Sequence, residues 1–250
     1  MKPIYCDNRD SIRIVNISST IFDCSAPDLD SCPDESLPEF AFIGRSNAGK
    51  SSLLNMLSGR QNLARVSPMP GFTKLINIFT VDKTWRLVDL PGYGFAQVAR
   101  EHSARFNKAV SNYLQHRKNL CCVFALIDSG LTPQMIDLEF LEWLARHSVP
   151  FVLVFTKTDK VTATEVQTNI AAFTAQISGW FETLPPIFTC SSKTKQGRTE
   201  LLNLIGESLA LIQAKSELAP QDANSNEGSP TPRPKAKVTR KSRPDITRPW

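Results

Sequence analysis

The sequence predicts a three-layer α/β sandwich built on a mostly parallel sheet, and three observations carry that prediction. Apolar runs of strand length alternate with stretches of helical spacing along the chain. One pair of runs, 75–81 and 85–89, is separated by only Asp82, Lys83 and Thr84, a connection short enough for an antiparallel hairpin inside an otherwise parallel sheet. The 250 residues are 41% hydrophobic, enough to bury one substantial core.

Taken in order, strands are expected at 40–44, 75–81, 85–89, 121–128, 151–157 and 187–191, and helices at 51–57, 105–115, 136–147 and 199–211. In the last helix Leu201, Ile205, Leu209 and Ile212 are spaced to form one apolar face. Residues 1–19 read as an N-terminal extension and 20–215 as a single domain. From residue 216 the chain loses apolar periodicity and turns rich in Pro, Ser, Asn and Lys/Arg, a composition that cannot offset chain entropy by burial, so 216–250 are expected to be a disordered tail. No internal repeat is visible.

Charge and cysteine usage narrow the function classes. The formal charge is +5, but 231–250 alone hold seven basic side chains against Asp245, net +6, which leaves the rest of the chain at −1. The body therefore has no overall field to draw it to a polyanion; the excess belongs to the tail. The six cysteines, Cys6, Cys24, Cys32, Cys121, Cys122 and Cys190, contain no C-x-x-C pair, and three scattered histidines do not complete a zinc framework. Several lie in apolar runs such as CCVFALID, as free thiols do in a reducing compartment. The N-terminus lacks the apolar stretch of a signal peptide, and no run approaches the roughly 20 apolar residues that span a bilayer. A cytoplasmic protein without membrane insertion is expected.

The chemistry concentrates in four short segments. GRSNAGKS, residues 44–51, fits G-x-x-x-x-G-K-[ST] and lies between the strand FAFIG and the helix SLLNML. Gly44, Arg45, Ser46, Asn47, Ala48 and Gly49 would wrap phosphates with backbone amides, Lys50 would place positive charge on the β and γ phosphates, and Ser51 would offer a hydroxyl to magnesium. The helix N-terminus adds its dipole. DLPG, with Asp89, Leu90, Pro91 and Gly92, ends the strand WRLVD, where ligands of a parallel α/β sheet collect. There Asp89 can reach magnesium through water, and the Gly92 amide can sense a γ-phosphate.

TKTD follows the strand FVLVF with Thr156, Lys157, Thr158 and Asp159. The Asp159 carboxylate can accept two hydrogen bonds from guanine N1–H and its exocyclic amine; adenine has no matching donor pair, so this residue selects GTP over ATP. Lys157 would lay its stem across the purine and reach toward the phosphate loop. The last strand supplies Cys190, Ser191 and Ser192, whose backbone amides could meet the guanine carbonyl.

With these segments in place, the chain resembles the EngB (YihA/YsxC) family of bacterial GTPases, in the branch that holds TrmE and Era. The resemblance covers about residues 20–213 and rests on SAPDL, GRSNAGKSSLLN, PGFTKLINIF, RLVDLPGYGFA, TKTDK and SSKTKQG. It implies a Ras-like P-loop NTPase domain in which Gly71, Phe72, Thr73, Lys74 and Leu75 form the first switch, with Thr73 joining Ser51 on magnesium. It also implies a monomer that acts in assembly of the large ribosomal subunit and is needed for normal division and septation. Thr156 stands where N-K-x-D motifs have Asn, so the hydrogen bonding there is rearranged. The segment DSGLTPQMIDLEF lacks the basic D-x-R-H character frequent after this strand, and the tail is longer and more basic than the family core.

Hydrolysis usually requires a residue that orients water and a charge that offsets the transition state. Where Ras-like enzymes place glutamine after DLPG this chain has Tyr93, so slow intrinsic turnover is expected. Asn47 resembles the potassium ligand of cation-dependent GTPases, and K+ would supply charge in place of an arginine finger; a loop asparagine capping its own backbone is the plainer alternative. The basic tail, interleaved with Pro232, Pro234, Pro244 and Pro249, could neutralise rRNA phosphates or simply solubilise the chain. Two other readings stand beside the switch: a P-loop kinase or ATPase, opposed by TKTD, and a non-enzymatic septal or RNA-binding scaffold that keeps GTP as a structural ligand.

Overall fold

The computed structural model describes residues 15–61, 63–64, 75–93 and 100–217, the side chains of 100–107 excepted. The switch residues Gly71, Phe72, Thr73 and Lys74, the thiol of Cys6 and the basic tail lie outside these.

Seven strands form one sheet in the order β1-β3-β4-β2-β5-β6-β7. They are β1 (Thr20–Ala26), β2 (Glu39–Gly44), β3 (Ile76–Val81), β4 (Trp85–Asp89), β5 (Leu120–Asp128), β6 (Phe151–Thr156) and β7 (Ile187–Thr189). From β4 to β7 every pairing is parallel, and β3 runs antiparallel to both β4 and β1. The hairpin closes as expected, with Asp82 (φ 46°) and Lys83 (φ 59°) both left-handed and the Thr84 amide donating to the Val81 carbonyl at 2.9 Å.

Among the described residues the α-helices are α1 (Lys50–Ser58), α2 (Arg100–His116), α3 (Met135–Arg146), α4 (Ala163–Ile177) and α5 (Arg198–Glu217). Alternate residues of the central strands face opposite layers, because side chains on a strand have a period of two. Ala41, Ile43, Val123, Ala125 and Ile127 pack with Tyr113, Phe140, Leu141 and Phe173 of α2, α3 and α4. Phe40, Phe42, Phe124 and Leu126 pack with Leu53, Leu57, Leu201 and Ile205 of α1 and α5. The three-layer sandwich is thus as predicted, and its central strands are apolar throughout because both faces are covered.

Three details differ from expectation. β1 was not legible: a bulge between Phe22 and Cys24 breaks its alternation and leaves Ile21 and Phe22 each 53% exposed at the sheet edge. α4 was passed over although Thr162 and Glu165 form a reciprocal capping box and Val166, Phe173 and Ile177 face the core. In α5 the expected stripe ends early: Leu201 and Ile205 are fully buried, but Ile212 is 36% exposed because the helix runs past the end of the sheet.

At the sheet end opposite the C-terminal edges of the parallel strands, Glu39 is fully buried in a polar knot. Its carboxylate accepts from Arg117 Nη2 at 2.6 Å and Nε at 2.9 Å, and from the Tyr113 hydroxyl at 2.6 Å. Arg117 also donates to the Pro33 carbonyl at 2.8 Å, so this knot ties the segment before β2 onto the start of the sheet.

Candidate nucleotide site

The four segments singled out in the sequence converge at the C-terminal ends of β2, β4, β6 and β7, the edge where open α/β sheets bind ligands. β2 ends at Gly44, and the chain turns through Arg45–Gly49 into α1. The turn requires left-handed backbone at Asn47 (φ 67°) and Gly49 (φ 91°), which bends successive peptides into an anion-binding concavity at the head of α1. Gly44 is required for a second reason: a Cβ there would stand 2.7 Å from the Leu126 carbonyl oxygen on β5.

Lys50, at the first helical position, carries its Nζ to the Asp89 carboxylate at the end of β4, and both side chains are buried. The pair joins the phosphate loop to DLPG. Gly92 closes the same seam, since a Cβ there would lie 2.8 Å from the Gly44 carbonyl oxygen. The Tyr93 amide donates to that carbonyl at 3.3 Å and the Ser46 amide donates to the Tyr93 carbonyl at 3.2 Å, so the root of the second switch is stitched to the loop as a short parallel bridge. Leu90 and Pro91 are buried beneath it.

Tyr93 stands where Ras-like enzymes carry glutamine, but its ring is buried and packs tilted by 31° against Phe140 of α3, with centroids 4.5 Å apart. Burial, reinforced by the carboxylate of Asp137, pushes its phenol well above the ordinary range, so it stays neutral. Asp137 is itself buried in the first turn of α3, which raises its carboxyl, while the Arg45 guanidinium 4.0 Å away opposes that shift. Tyr93 is a packing anchor and provides no proton acceptor for water.

The TKTD segment is tied to the same loop. Thr156 ends β6 with its hydroxyl donating to the Ala48 carbonyl at 2.6 Å, and the Ile127 carbonyl lies 3.2 Å away. This is the rearrangement that threonine in place of asparagine requires: one hydroxyl proton spans β6 and the phosphate loop. Lys157 adopts left-handed backbone (φ 62°), and its Cε passes 3.8 Å from the point where a Gly49 Cβ would stand. Its stem therefore reaches the phosphate loop as expected, while its Nζ pairs with Asp128 Oδ2 at 2.6 Å. Asp128, at the end of β5, was not among the residues picked from sequence; its position at a C-terminal strand edge was the available signal.

Asp159 is exposed and accepts from the Ser191 hydroxyl at 2.6 Å. That bond holds its carboxyl below the usual aspartate range and fixes the carboxylate's direction. Thr158 is held from both sides, its amide donating to the Cys190 carbonyl at 3.3 Å and its hydroxyl to Gln196 Oε1 at 3.2 Å. The amides of Cys190 and Ser191 already donate to the Phe155 and Gln196 carbonyls, at 2.8 and 3.1 Å, so these two differ from the expected role for a guanine carbonyl. The expectation passes to exposed Ser192, and Ser191 acts through its side chain. Burial pushes the Cys190 thiol up to about 12, so it packs as a small neutral group.

The donor set at the head of α1 suits a hard cation. The Ser51 hydroxyl and the Asp89 carboxylate are oxygen donors of the kind magnesium takes together with phosphate and water, and no cluster of three His, Cys, Asp or Glu capable of chelating a softer metal occurs among the described residues. The five described cysteines are free thiols, and among the described residues no helix is long and apolar enough to cross a membrane.

Comparison with known proteins agrees with this geometry. Residues 39–157 match the family model described as 50S ribosome-binding GTPase. The chain is 46% identical over 191 residues to the probable GTP-binding protein EngB of Bacteroides fragilis, covering 76% of this chain and 95% of that protein. Among solved structures, a probable GTP-binding protein EngB superposes with a TM-score of 0.51 at 23% identity, covering 69% of this chain and 99% of the other. Era in complex with MgGDPNP and nucleotides 1506–1542 of 16S ribosomal RNA shares the fold, with a TM-score of 0.50 at 19% identity over 76% of this chain and 59% of that one. A phosphate loop bound to β4 through Lys50 and Asp89 and this extent of identity converge on one conclusion: the chain belongs to the EngB family of GTP-binding proteins and is a GTPase.

Proposed function

We propose that this protein is a guanine-nucleotide switch acting in assembly of the large ribosomal subunit. The observation that carries the switch reading is the joining of the three recognition elements, with Lys50 to Asp89, Thr156 to Ala48 and Asp159 to Ser191, since a γ-phosphate that moves one element is felt by the others. The ribosomal reading is supported by the family model over 39–157, whose members are described as 50S ribosome-binding GTPases.

In this reading residues 20–215 are the GTPase domain. Gly44–Ser51 hold the phosphates, with Lys50 placing its charge on the β and γ phosphates and through the transition state. Ser51 and Thr73 bind magnesium, which neutralises charge on the phosphate oxygens. Gly71–Leu75 and Asp89–Gly92 form the switches, and Thr156–Asp159 together with Ser192 read guanine while Cys190 and Ser191 support them. Tyr93, buried against Phe140, orients no water, so intrinsic turnover is slow. Asn47, exposed on the loop, binds potassium, which supplies the missing charge. The protein works as a cytoplasmic monomer, the tail 216–250 adds salt-sensitive rRNA contacts, and defects in division and septation follow from a shortage of ribosomes.

Moving a partner equilibrium almost completely requires about 5.5 kcal/mol of differential binding, so ribosomal particles must distinguish the two nucleotide forms strongly. Sedimentation with ribosomal subunits in GDP or a nonhydrolysable GTP analogue tests this. Recovery with the large subunit only in the analogue is expected, and equal recovery in both nucleotides would refute a switch.

A further inference from the structure

A hollow of about 660 Å³ opens beside the guanine-reading turn, between the C-terminal half of α1 and the start of α5. Among the described residues four cationic side chains line it, Arg60, Lys193, Lys195 and Arg198, and no carboxylate does. The concentration is local, since the chain outside 231–250 carries a net charge of −1. Its walls are fixed by backbone chemistry. Arg198 donates to the Met56 and Leu57 carbonyls at 2.9 Å each, which pins the first turn of α5 to the end of α1. Across the hollow the turn after β7 is closed by Ser191 amide to Gln196 carbonyl and Thr194 amide to Ser191 Oγ, both at 3.1 Å, with Lys195 left-handed at φ 64°. Lys193, Lys195 and Arg60 are exposed at its mouth.

We infer that this hollow seats a run of RNA phosphodiesters, which places the ribosomal contact on the G domain itself, beside the guanine turn. The inference rests on the ribosomal reading above and names the surface through which it would act. Three features select the occupant. The volume is that of a pocket for many atoms, far beyond one phosphate. Among the described residues Met56 is the one apolar side chain in the lining, and none of them is an aromatic anchor of the kind by which proteins and drug-like molecules bind. The strongly basic segment 231–250 of this chain would be repelled from it. The remaining chemistry, ammonium and guanidinium groups carried on aliphatic stems, is that of phosphate-backbone contact. Its placement adds a link to occupancy of the guanine site, because Ser191 at one end of the turn holds Asp159 while Lys193 and Lys195 of the same turn line the hollow.

The test compares the full-length protein with the double variant Arg60→Gln/Lys195→Gln, neither residue being part of the nucleotide site. Affinity for purified large ribosomal subunits and for a single-stranded RNA of roughly 30 nucleotides is measured against salt between about 50 and 200 mM. The tail is present in both proteins, so its contribution cancels. The expected result is unchanged GDP affinity, RNA affinity lower by about tenfold, and a log–log salt slope shallower by about 1.4–1.8, since each lost phosphate contact removes about 0.7 on single strands and 0.9 on duplex. If the wild type binds subunits and the variant keeps the same slope, the hollow is not the contact and the ribosomal reading survives. If the wild type binds no subunits in either nucleotide state, the ribosomal reading fails, and the oligonucleotide slope alone then upholds or overturns the hollow. If polyaspartate competes with subunits while the oligonucleotide neither binds nor competes, the occupant is an acidic protein segment and the inference is wrong.

Discussion

Replacing Thr156 by valine removes the hydroxyl that ties the end of β6 to the phosphate loop while keeping the side chain's size. The residue is 3% exposed, and its Oγ1 lies 2.6 Å from the Ala48 carbonyl and 3.2 Å from that of Ile127. A hydroxyl has one proton, so the shorter contact is the bond and the longer one is electrostatic support. Because Val and Thr are nearly isosteric, no cavity forms; the loss is the hydrogen bond together with a buried carbonyl deprived of its donor, about 1–3 kcal/mol. With a urea m value of about 2.5 kcal/mol/M for a domain of this size, the midpoint of unfolding should fall by about 0.4–1.2 M. If the whole loss is also felt in the bound loop, GDP affinity drops by about 5- to 150-fold. Fluorescent-GDP titration and urea unfolding measure the two effects, and Thr156→Ser, which keeps the hydroxyl, should retain most of the affinity. A valine variant with wild-type midpoint and wild-type GDP affinity would refute the argument that this hydroxyl couples β6 to the loop.

Five further outcomes are expected. Asp159→Asn keeps one oxygen acceptor but turns the other into an NH2 donor facing a guanine donor and removes the charge from both contacts, so GTP affinity should fall by about 100-fold; a titration showing intact GTP selectivity would contradict the assigned role. Because Ser191 holds the Asp159 carboxyl below its ordinary value, this group's contribution is fully present above an unfolded pKa of about 4 and is lost only as pH falls through the lower folded value; Ser191→Ala should move that loss to higher pH in GDP-binding profiles. Gly92→Ala places a Cβ 2.8 Å from the Gly44 carbonyl oxygen and must displace the switch root or the loop, so hydrolysis should fall in single-turnover assays with folding retained by circular dichroism. Arg117→Ala takes two guanidinium hydrogen bonds from the fully buried Glu39, leaving it the Tyr113 hydroxyl at 2.6 Å and Arg86 Nη1 at 3.4 Å, and should cost about 3 kcal/mol, seen as a melting point lower by about 6–12 °C in calorimetry. Turnover should be faster in potassium than in sodium and lose that preference in Asn47→Ala; equal rates in the two salts would remove the potassium role.

Much of the fold was legible because its signals are local. Residues 120–128 are apolar on both faces and flanked by polar turns, which marks a covered central strand, and the Asp82–Thr84 connection is too short for anything but a hairpin. β1 was hidden because its bulge breaks the period on which strand reading depends, and because an edge strand tolerates exposed Ile21 and Phe22. α4 carried a readable capping box and was overlooked. At the site, the phosphate loop and the Asp159 turn could be identified from residue types at fixed spacing. Their cross-links could not, since Lys50 and Asp89, Lys157 and Asp128, and Asp159 and Ser191 are separated by about thirty to forty residues of chain.

The sequence by itself therefore determined which backbone could curl around a phosphate and which carboxylate could read guanine, because glycine's freedom at Gly49 and the acceptor chemistry of Asp159 belong to single residues. Only the tertiary structure decided that Tyr93 turns inward onto Phe140, that the amides of Cys190 and Ser191 are spent within the chain, and that Arg60 comes to face Lys193 and Lys195 across one hollow. The physical reason is that burial, hydrogen-bond competition and summed charge depend on which distant segments the sheet order brings together, and no spacing along the chain encodes those distances directly.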